Sequence, residues 1–69
     1  MKISANNYEA KDIIRIIREW SELNQKDFGK TISRSKRSIQ DYESGTTNYS
    51  VAMLLDIAKK NKLKITIEK

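Results

Sequence analysis

The sequence predicts one mainly α domain of four helices, followed by a short C-terminal β-strand. The helices are predicted from apolar residues at helical spacing, which begin just after residues that favour helix N-caps. The strand is predicted from strict alternation of apolar and polar residues over 63–68. Because the chain has 69 residues, positions 1–69 are expected to form a single small domain. Such a domain is stable only if its helices pack closely or if it associates with a second chain.

The first helix is predicted over 8–23. Its apolar residues fall on one side of a helical wheel and its charged residues fall opposite. These apolar residues are Ile13, Ile14, Ile16, Ile17, Trp20 and Leu23. Asn6, followed by Glu9 three positions later, is typical of a capping box that starts a helix. Trp20 is expected in the core because it lies on the same side of the helix as the isoleucines.

The second helix is predicted over 25–31. Asn24 is a favourable N-cap for it, and Phe28 and Ile32 share a buried face because they lie four residues apart. Gly29 stands where this helix must cross the next one, and its lack of a side chain allows a close approach. The segment therefore predicts a short helix that packs tightly on its successor.

The third helix is predicted over 36–44, after the N-cap Ser35. Ile39 and Tyr42 face inward, and Gly45 ends the helix because glycine readily adopts a left-handed conformation. Together, the second and third helices and the turn between them form a helix-turn-helix pattern over about 25–44.

The fourth helix is predicted over 51–60, after the N-cap Ser50. Its expected apolar stripe consists of Val51, Leu54, Leu55 and Ala58. Asn61 is the expected left-handed residue at its C-terminus. The strand over 63–68 then needs a partner, either residues 1–4 of the same chain or the equivalent strand of a second chain.

Positive charge is concentrated in two places. The net charge is +5, and the segment between Phe28 and Gln40 holds basic residues and no acidic one. These basic residues are Lys30, Arg34, Lys36 and Arg37. A second group of lysines lies in the tail over 59–69. This distribution favours a polyanionic partner.

The composition excludes several kinds of chemistry. The chain has no Cys and no His, which removes thiolate nucleophiles, His-based triads and Cys or His metal sites. It has no glycine-rich phosphate loop, and its carboxylates are scattered. We therefore expect no enzymatic activity and no metal or cofactor. The longest apolar run, over 51–55, is too short to span a bilayer, so a cytoplasmic location is expected.

Residues 23–45 contain a series of characteristic residue types at fixed spacing. The segment begins with Leu-Asn-Gln, and a large apolar residue, Phe28, is followed directly by a small one, Gly29. The remaining residues of the pattern follow without a gap. These are Ile32, Ser35, Ser38, Ile39, Tyr42, Glu43 and Gly45. In this pattern the chain resembles the Cro/C1-type (XRE-like) helix-turn-helix family, which includes the lambdoid phage repressors. The resemblance implies a four-helix lambda-repressor-like domain.

The resemblance also implies roles for individual residues. The third helix is the expected recognition helix, which enters the major groove of double-stranded DNA. The base-reading residues that the resemblance implies are Lys36, Arg37 and Asp41. Gln40 is expected to join them because it lies on the same free face of the helix and its amide suits adenine. The residues expected to contact the DNA backbone are Asn24, Gln25, Arg34, Ser35, Ser38, Thr46 and Thr47. Glu43 is usually structural in the family and pairs with an arginine of the first helix, for which Arg15 and Arg18 are both candidates.

The chain departs from the family pattern at the turn and at the C-terminus. Ser33 stands where the family usually has glycine, so a left-handed conformation there would cost about 1 kcal/mol. Arg34 replaces a usual apolar residue. A strand tail replaces the usual fifth helix, as in antitoxin-type relatives that dimerise through a C-terminal strand. The residues expected to mediate dimerisation are Leu63, Ile65 and Ile67.

Two functions agree with these observations. The first is a sequence-specific DNA-binding transcriptional regulator, expected to be a repressor. It would bind an inverted repeat as a homodimer, with half-sites about 34–36 Å apart. The alternative is a protein-interaction module, such as an antitoxin or a phage-borne inhibitor that neutralises a partner protein, and such a module could also regulate its own operon.

Overall fold

A computed structural model describes residues 4–67 of the chain and contains four α-helices. A short 3-10 helix, Ala5–Asn7, precedes α1 (Ala10–Trp20), α2 (Gln25–Thr31), α3 (Lys36–Ser44) and α4 (Val51–Lys60). The sequence prediction of four helices is therefore confirmed, with the bounds of α2, α3 and α4 as expected. No helix within residues 4–67 is long and apolar enough to cross a membrane.

The N-caps of α2, α3 and α4 are the predicted ones. The side chains of Asn24, Ser35 and Ser50 each accept a hydrogen bond from the backbone N–H three residues later. The capping box predicted for α1 is wrong. Asn6 lies in the 3-10 helix, and α1 begins only at Ala10, after Glu9, whose side chain makes no capping hydrogen bond.

The core lies where α1, α2, α3 and α4 meet. Its buried hydrophobic residues are Ile14, Ile17, Phe28, Ile32, Ile39, Ile57 and Ala58. Leu63, just after α4, packs against this cluster. Trp20 is only half-buried and is not among the described residues that pack on the cluster. The prediction of Trp20 as a core residue is therefore not supported.

The predicted apolar stripe of the fourth helix is only partly confirmed, since Leu54 and Ala58 do contact the core. Ile57 and Ala58 are buried, whereas Val51 and Leu55 are exposed. A helix of ten residues offers two neighbouring apolar stripes, and the packing of α4 on the core places the one that contains Ile57 inside. Val51 and Leu55 consequently form an apolar patch on the outer face of α4.

Each helix is followed by a residue in the left-handed conformation. Glu22, Ser33 and Lys62 have φ of 57°, 57° and 58°, and Gly45 has φ of 83°. The predictions for Ser33 and Gly45 are confirmed. The prediction for Asn61 is wrong, because its φ is −102° and the left-handed residue is the next one, Lys62. The Leu63 N–H then donates to Ala58 O at 2.8 Å, which is the hydrogen bond of a Schellman motif.

The predicted C-terminal strand is absent from the described part of its range. Residues 63–67 form no regular secondary structure, and position 68 lies outside the described residues. An alternating segment becomes a strand only when a neighbouring strand accepts its hydrogen bonds. The proposed intrachain partner, residues 1–4, lies outside the described residues except for Ser4, which is not in a strand. Leu63 packs on the core, whereas Ile65 and Ile67 are exposed.

Candidate nucleic-acid interface

The turn between α2 and α3 depends on close contact at Gly29. The Arg34 N–H donates to Gly29 O at 2.8 Å, and Ser33 adopts the left-handed conformation that this Schellman motif requires. A Cβ atom on Gly29 would lie 2.4 Å from Arg34 O and 3.4 Å from the Ile39 side chain. The absence of a side chain at Gly29 therefore allows the turn and α3 to pack closely against α2.

The inner face of α3 is fixed by apolar and aromatic contacts. Ile39 is completely buried, and the ring of Tyr42 meets that of Tyr49 edge to face, with centroids 5.8 Å apart. The Tyr49 hydroxyl donates to Ala10 O at the start of α1. Burial raises the pKa of the Tyr49 phenol above its usual value. These contacts hold α3 against α1 and leave its opposite face in solvent.

A forked salt bridge between Arg18 and Glu43 joins α1 to the C-terminal half of α3. The Arg18 Nε donates to Glu43 Oε2 at 2.6 Å, and Nη2 donates to Oε1 at 3.0 Å. The hydrogen bond to Glu43 raises the pKa of the Arg18 guanidinium further above its usual value. Of the two candidate partners for Glu43, the structure therefore selects Arg18, while Arg15 pairs with Asp12 and Glu19 on the surface of α1.

The salt bridge also reaches the start of α2. Arg18 Nη1 donates to Leu23 O at 3.1 Å, and Gln25 Nε2 donates to Glu43 Oε1 at 3.5 Å. Gln25, a predicted backbone-contacting residue, is consequently held beside the C-terminal half of α3. A shallow cleft at this point is lined by Arg18, Asn24, Gln25, Lys26 and Lys36.

The cleft includes two basic residues that the sequence reasoning did not assign to the site. Lys26 is exposed in the first turn of α2. Its signal in the sequence is its position directly after the predicted contact residue Gln25. Arg18 was expected only as a partner of Glu43, and its place at the cleft follows from tertiary packing.

The predicted base-reading residues share one side of α3. Lys36, Arg37 and Gln40 are exposed, and Asp41 is partly buried. Arg37 Nε donates to Asp41 Oδ1 at 3.3 Å. The structure therefore brings these four residues together at the outward, N-terminal part of the helix.

The predicted backbone-contacting residues fall into two groups around that face. Asn24, Gln25, Arg34, Ser35 and Ser38 lie at or near the starts of α2 and α3. Ser35 caps α3, and its hydroxyl lies 3.1 Å from that of Ser38. Thr46 and Thr47 lie after the C-terminus of α3, where the Thr47 N–H donates to Asp41 O at 3.2 Å.

The arrangement is that of a protein that places a helix into the major groove of DNA. The short helix α2, which buries Phe28 and Gly29, supports α3. The third helix presents long polar and basic side chains to solvent, and the major groove is wide enough for such a helix. The helix-turn-helix family model, of the Cro/C1 type, matches residues 14–67. The match covers most of the chain, and the chain belongs to this family of DNA-binding regulators. Comparison with curated proteins and with solved structures gave no significant match.

Proposed function

We propose that the chain is a sequence-specific transcriptional repressor that reads an inverted-repeat operator as a homodimer. In this function α3 lies in the major groove, with Lys36, Arg37, Gln40 and Asp41 towards the base edges. The observation that carries the proposal is the contrast between the two sides of α3. Its inner side holds the buried Ile39 and the Tyr42 ring that packs on Tyr49, whereas its outer, N-terminal side is polar and exposed.

The contacts to the DNA backbone are proposed to flank that helix. Lys26, Arg34 and the cleft around Gln25 lie on one side, and Thr46 and Thr47 lie on the other. Phosphate contacts of this kind position a recognition helix, and base contacts supply the sequence preference. The proposed action is binding alone, with no catalytic step, on the nucleoid in the cytoplasm.

The test begins with selection of duplexes from a random pool, followed by anisotropy measurements on the selected operator. Lys36→Ala with Arg37→Ala should weaken operator binding by about 2 kcal/mol or more, about 30-fold, because each base contact contributes about 1–3 kcal/mol. The matched control is Lys59→Ala with Lys60→Ala, which removes the same charge from the end of α4. If both pairs of substitutions weaken binding equally, general attraction to phosphates explains the affinity and the recognition-helix assignment is wrong.

The dimer is proposed to form through the exposed tail residues Ile65 and Ile67. Residues 63–67 alternate in polarity but have no strand partner within residues 4–67, and a second copy of the tail could supply one. Ile65→Ser with Ile67→Ser should convert the dimer to a monomer in sedimentation equilibrium, while Thr66→Ser should leave it intact. A dimer that survives the paired isoleucine substitutions would require another interface.

A second candidate function is supported by the apolar patch on α4. Val51 is 72% exposed and Leu55 is 52% exposed, and neither lies on the DNA-reading face of α3. Such a patch favours contact with another protein, as in an antitoxin or an inhibitor that neutralises its partner. The test is whether the native chain binds a partner protein that the Val51→Ser, Leu55→Ser variant does not bind. If the variant loses the partner but still binds the operator, the chain has both the DNA-binding and the protein-binding function.

A further inference from the structure

Arg37 and Asp41 form an ion pair on the exposed side of α3. The Arg37 Nε–H donates to Asp41 Oδ1 at 3.3 Å, and the residues lie four positions apart along the helix. The Arg37 side chain is 82% exposed, whereas the Asp41 side chain is 31% exposed. The carboxylate is thus the more confined member of the pair, and the guanidinium projects beyond it.

Asp41 itself is anchored by the end of α3. Its carbonyl oxygen accepts hydrogen bonds from the Thr47 N–H and from the Ser44 hydroxyl, both at 3.2 Å. These bonds attach the loop after α3 to the backbone that carries the carboxylate. The backbone of Asp41 is therefore held in place, and its carboxylate can orient the exposed side chain of Arg37.

The ion pair leaves the outer end of Arg37 free. A guanidinium has five N–H donors, of which Nε–H is one. Within residues 4–67, Nη1 and Nη2 of Arg37 donate to no protein group. These two nitrogens form the fork that matches the O6 and N7 acceptors of guanine in the major groove. Arg37 can therefore keep its bond to Asp41 while its outer edge contacts a base.

Asp41 is poorly suited to contact DNA directly. Its negative charge is repelled by the phosphates, and the base partner suited to a carboxylate is the cytosine amino group. Pairing with Arg37 offsets this charge. It also reduces the rotamer freedom that Arg37 loses on binding, which is a general route to higher affinity.

We propose that Asp41 is a positioning residue that holds Arg37 for a forked contact with guanine, and thereby sets the preference for guanine at one base pair of each half-site. This inference rests on the proposed placement of α3 in the major groove. Arg37 supplies the base contact, and Asp41, which the sequence predicted to read a base itself, acts through Arg37 instead.

The experiment measures discrimination at a single base pair. After the operator has been selected, each of its guanines is replaced in turn, and the Kd is measured for the native chain and for Arg37→Ala. The guanine whose replacement weakens binding of the native chain, but not of Arg37→Ala, is the one that Arg37 contacts. For that position, the ratio of the Kd for 7-deazaguanine to the Kd for guanine reports the contact with N7. Asp41→Ala should lower this ratio about 3- to 10-fold, the equivalent of ordering one long side chain. Its affinity for random duplex should stay equal or rise, because a negative charge is lost.

The matched control is Asp12→Ala. Asp12 pairs with Arg15 on α1 and is 32% exposed, so the substitution removes the same charge and a comparable ion pair away from α3. It should leave the guanine ratio unchanged. In the Arg37→Ala background, Asp41→Ala should have no further effect on the ratio, which is the signature of two residues acting as one unit. Asp41→Asn, which preserves the shape of the side chain, replaces Asp41→Ala if circular dichroism shows loss of helix.

Each other result overturns a defined part of the reasoning. If Asp41→Ala relaxes a different base pair, or still acts in the Arg37→Ala background, Asp41 reads a base itself. If the ratio is unchanged, Asp41 affects only the general attraction to DNA. If selection with the native chain enriches no sequence, the proposed function fails first and the positioning role fails with it.

Discussion

The salt bridge between Arg18 and Glu43 is expected to be the largest single polar contribution to stability. The two side chains are 19% and 8% exposed, so removal of Glu43 leaves a guanidinium that water can solvate only in part. Breaking a buried pair in this way costs about 3–5 kcal/mol, and the partial exposure of Arg18 places the effect near the lower value. We therefore expect Glu43→Ala to cost about 3 kcal/mol.

That loss is large for a domain of this size. At about 0.05–0.15 kcal/mol per residue, the native chain has a free energy of unfolding of about 3–10 kcal/mol. A loss of about 3 kcal/mol should lower the Tm by about 12–24 °C. Urea and thermal unfolding followed by circular dichroism, with Trp20 fluorescence as a second signal, measure both quantities.

Two further variants separate the buried pair from charge effects in general. Glu19→Ala removes a glutamate that is 52% exposed and pairs with Arg15 at 3.3 Å, and it should cost only about 0.3–0.5 kcal/mol. Arg18→Met with Glu43→Leu removes both charges and should cost less than Glu43→Ala alone. The reasoning is refuted if Glu43→Ala costs no more than Glu19→Ala, or if the double variant is as unstable as the sum of its single substitutions.

Three other predictions concern the turns and the tyrosine contact. Gly29→Ala should lower the free energy of unfolding by about 1–2 kcal/mol, because the clash with the Arg34 carbonyl outweighs the gain in helix propensity; an unchanged urea midpoint would show that the turn yields. Ser33→Gly should raise the free energy of unfolding by about 0.5–1 kcal/mol and Gly45→Ala should lower it by about 1 kcal/mol, since both residues have positive φ. Changes in the same direction for the two substitutions would contradict this. Tyr49→Phe should cost about 1 kcal/mol at neutral pH through loss of the hydrogen bond. Because the folded pKa of Tyr49 is raised, the native chain loses this advantage above about pH 10. Unfolding curves at several pH values should show the gap to Tyr49→Phe narrowing there, and a gap that widens would refute the burial argument.

The features predicted correctly from the sequence are local ones. Asn24, Ser35 and Ser50 cap their helices through a bond to an N–H three residues away, so a short segment contains all that is needed. The left-handed conformation of Ser33 was expected from the family pattern, which usually has glycine at this position of the turn. The exposed face of α3 was predictable because the burial of Ile39 fixes the rotation of that helix.

The errors at α4 and in the C-terminal segment occur where the outcome depends on distant parts of the chain. The sequence of α4 allows either of two apolar stripes to face inward, and only its packing on the other helices places Ile57 inside and Leu55 outside. The alternation over 63–67 predicts a strand, but a strand needs a neighbour that the pattern cannot supply. The pairing of Arg37 with Asp41 did have a signal, since opposite charges four residues apart on a helix attract each other.

Glu43 connects the stability of the domain to its proposed DNA contact. Its carboxylate holds Arg18 of α1 and lies 3.5 Å from Gln25 Nε2 at the start of α2, so one side chain of α3 contacts both neighbouring helices. Conservative replacement by Gln keeps one carbonyl acceptor and removes the charge. At a temperature where this variant remains folded, it should bind the operator more weakly than the native chain, because Gln25 loses a charged acceptor that orients it towards the cleft. Gln25→Ala should then weaken the native chain more than it weakens the Glu43→Gln variant, and equal effects in the two backgrounds would show that Glu43 stabilises the fold without orienting the contact.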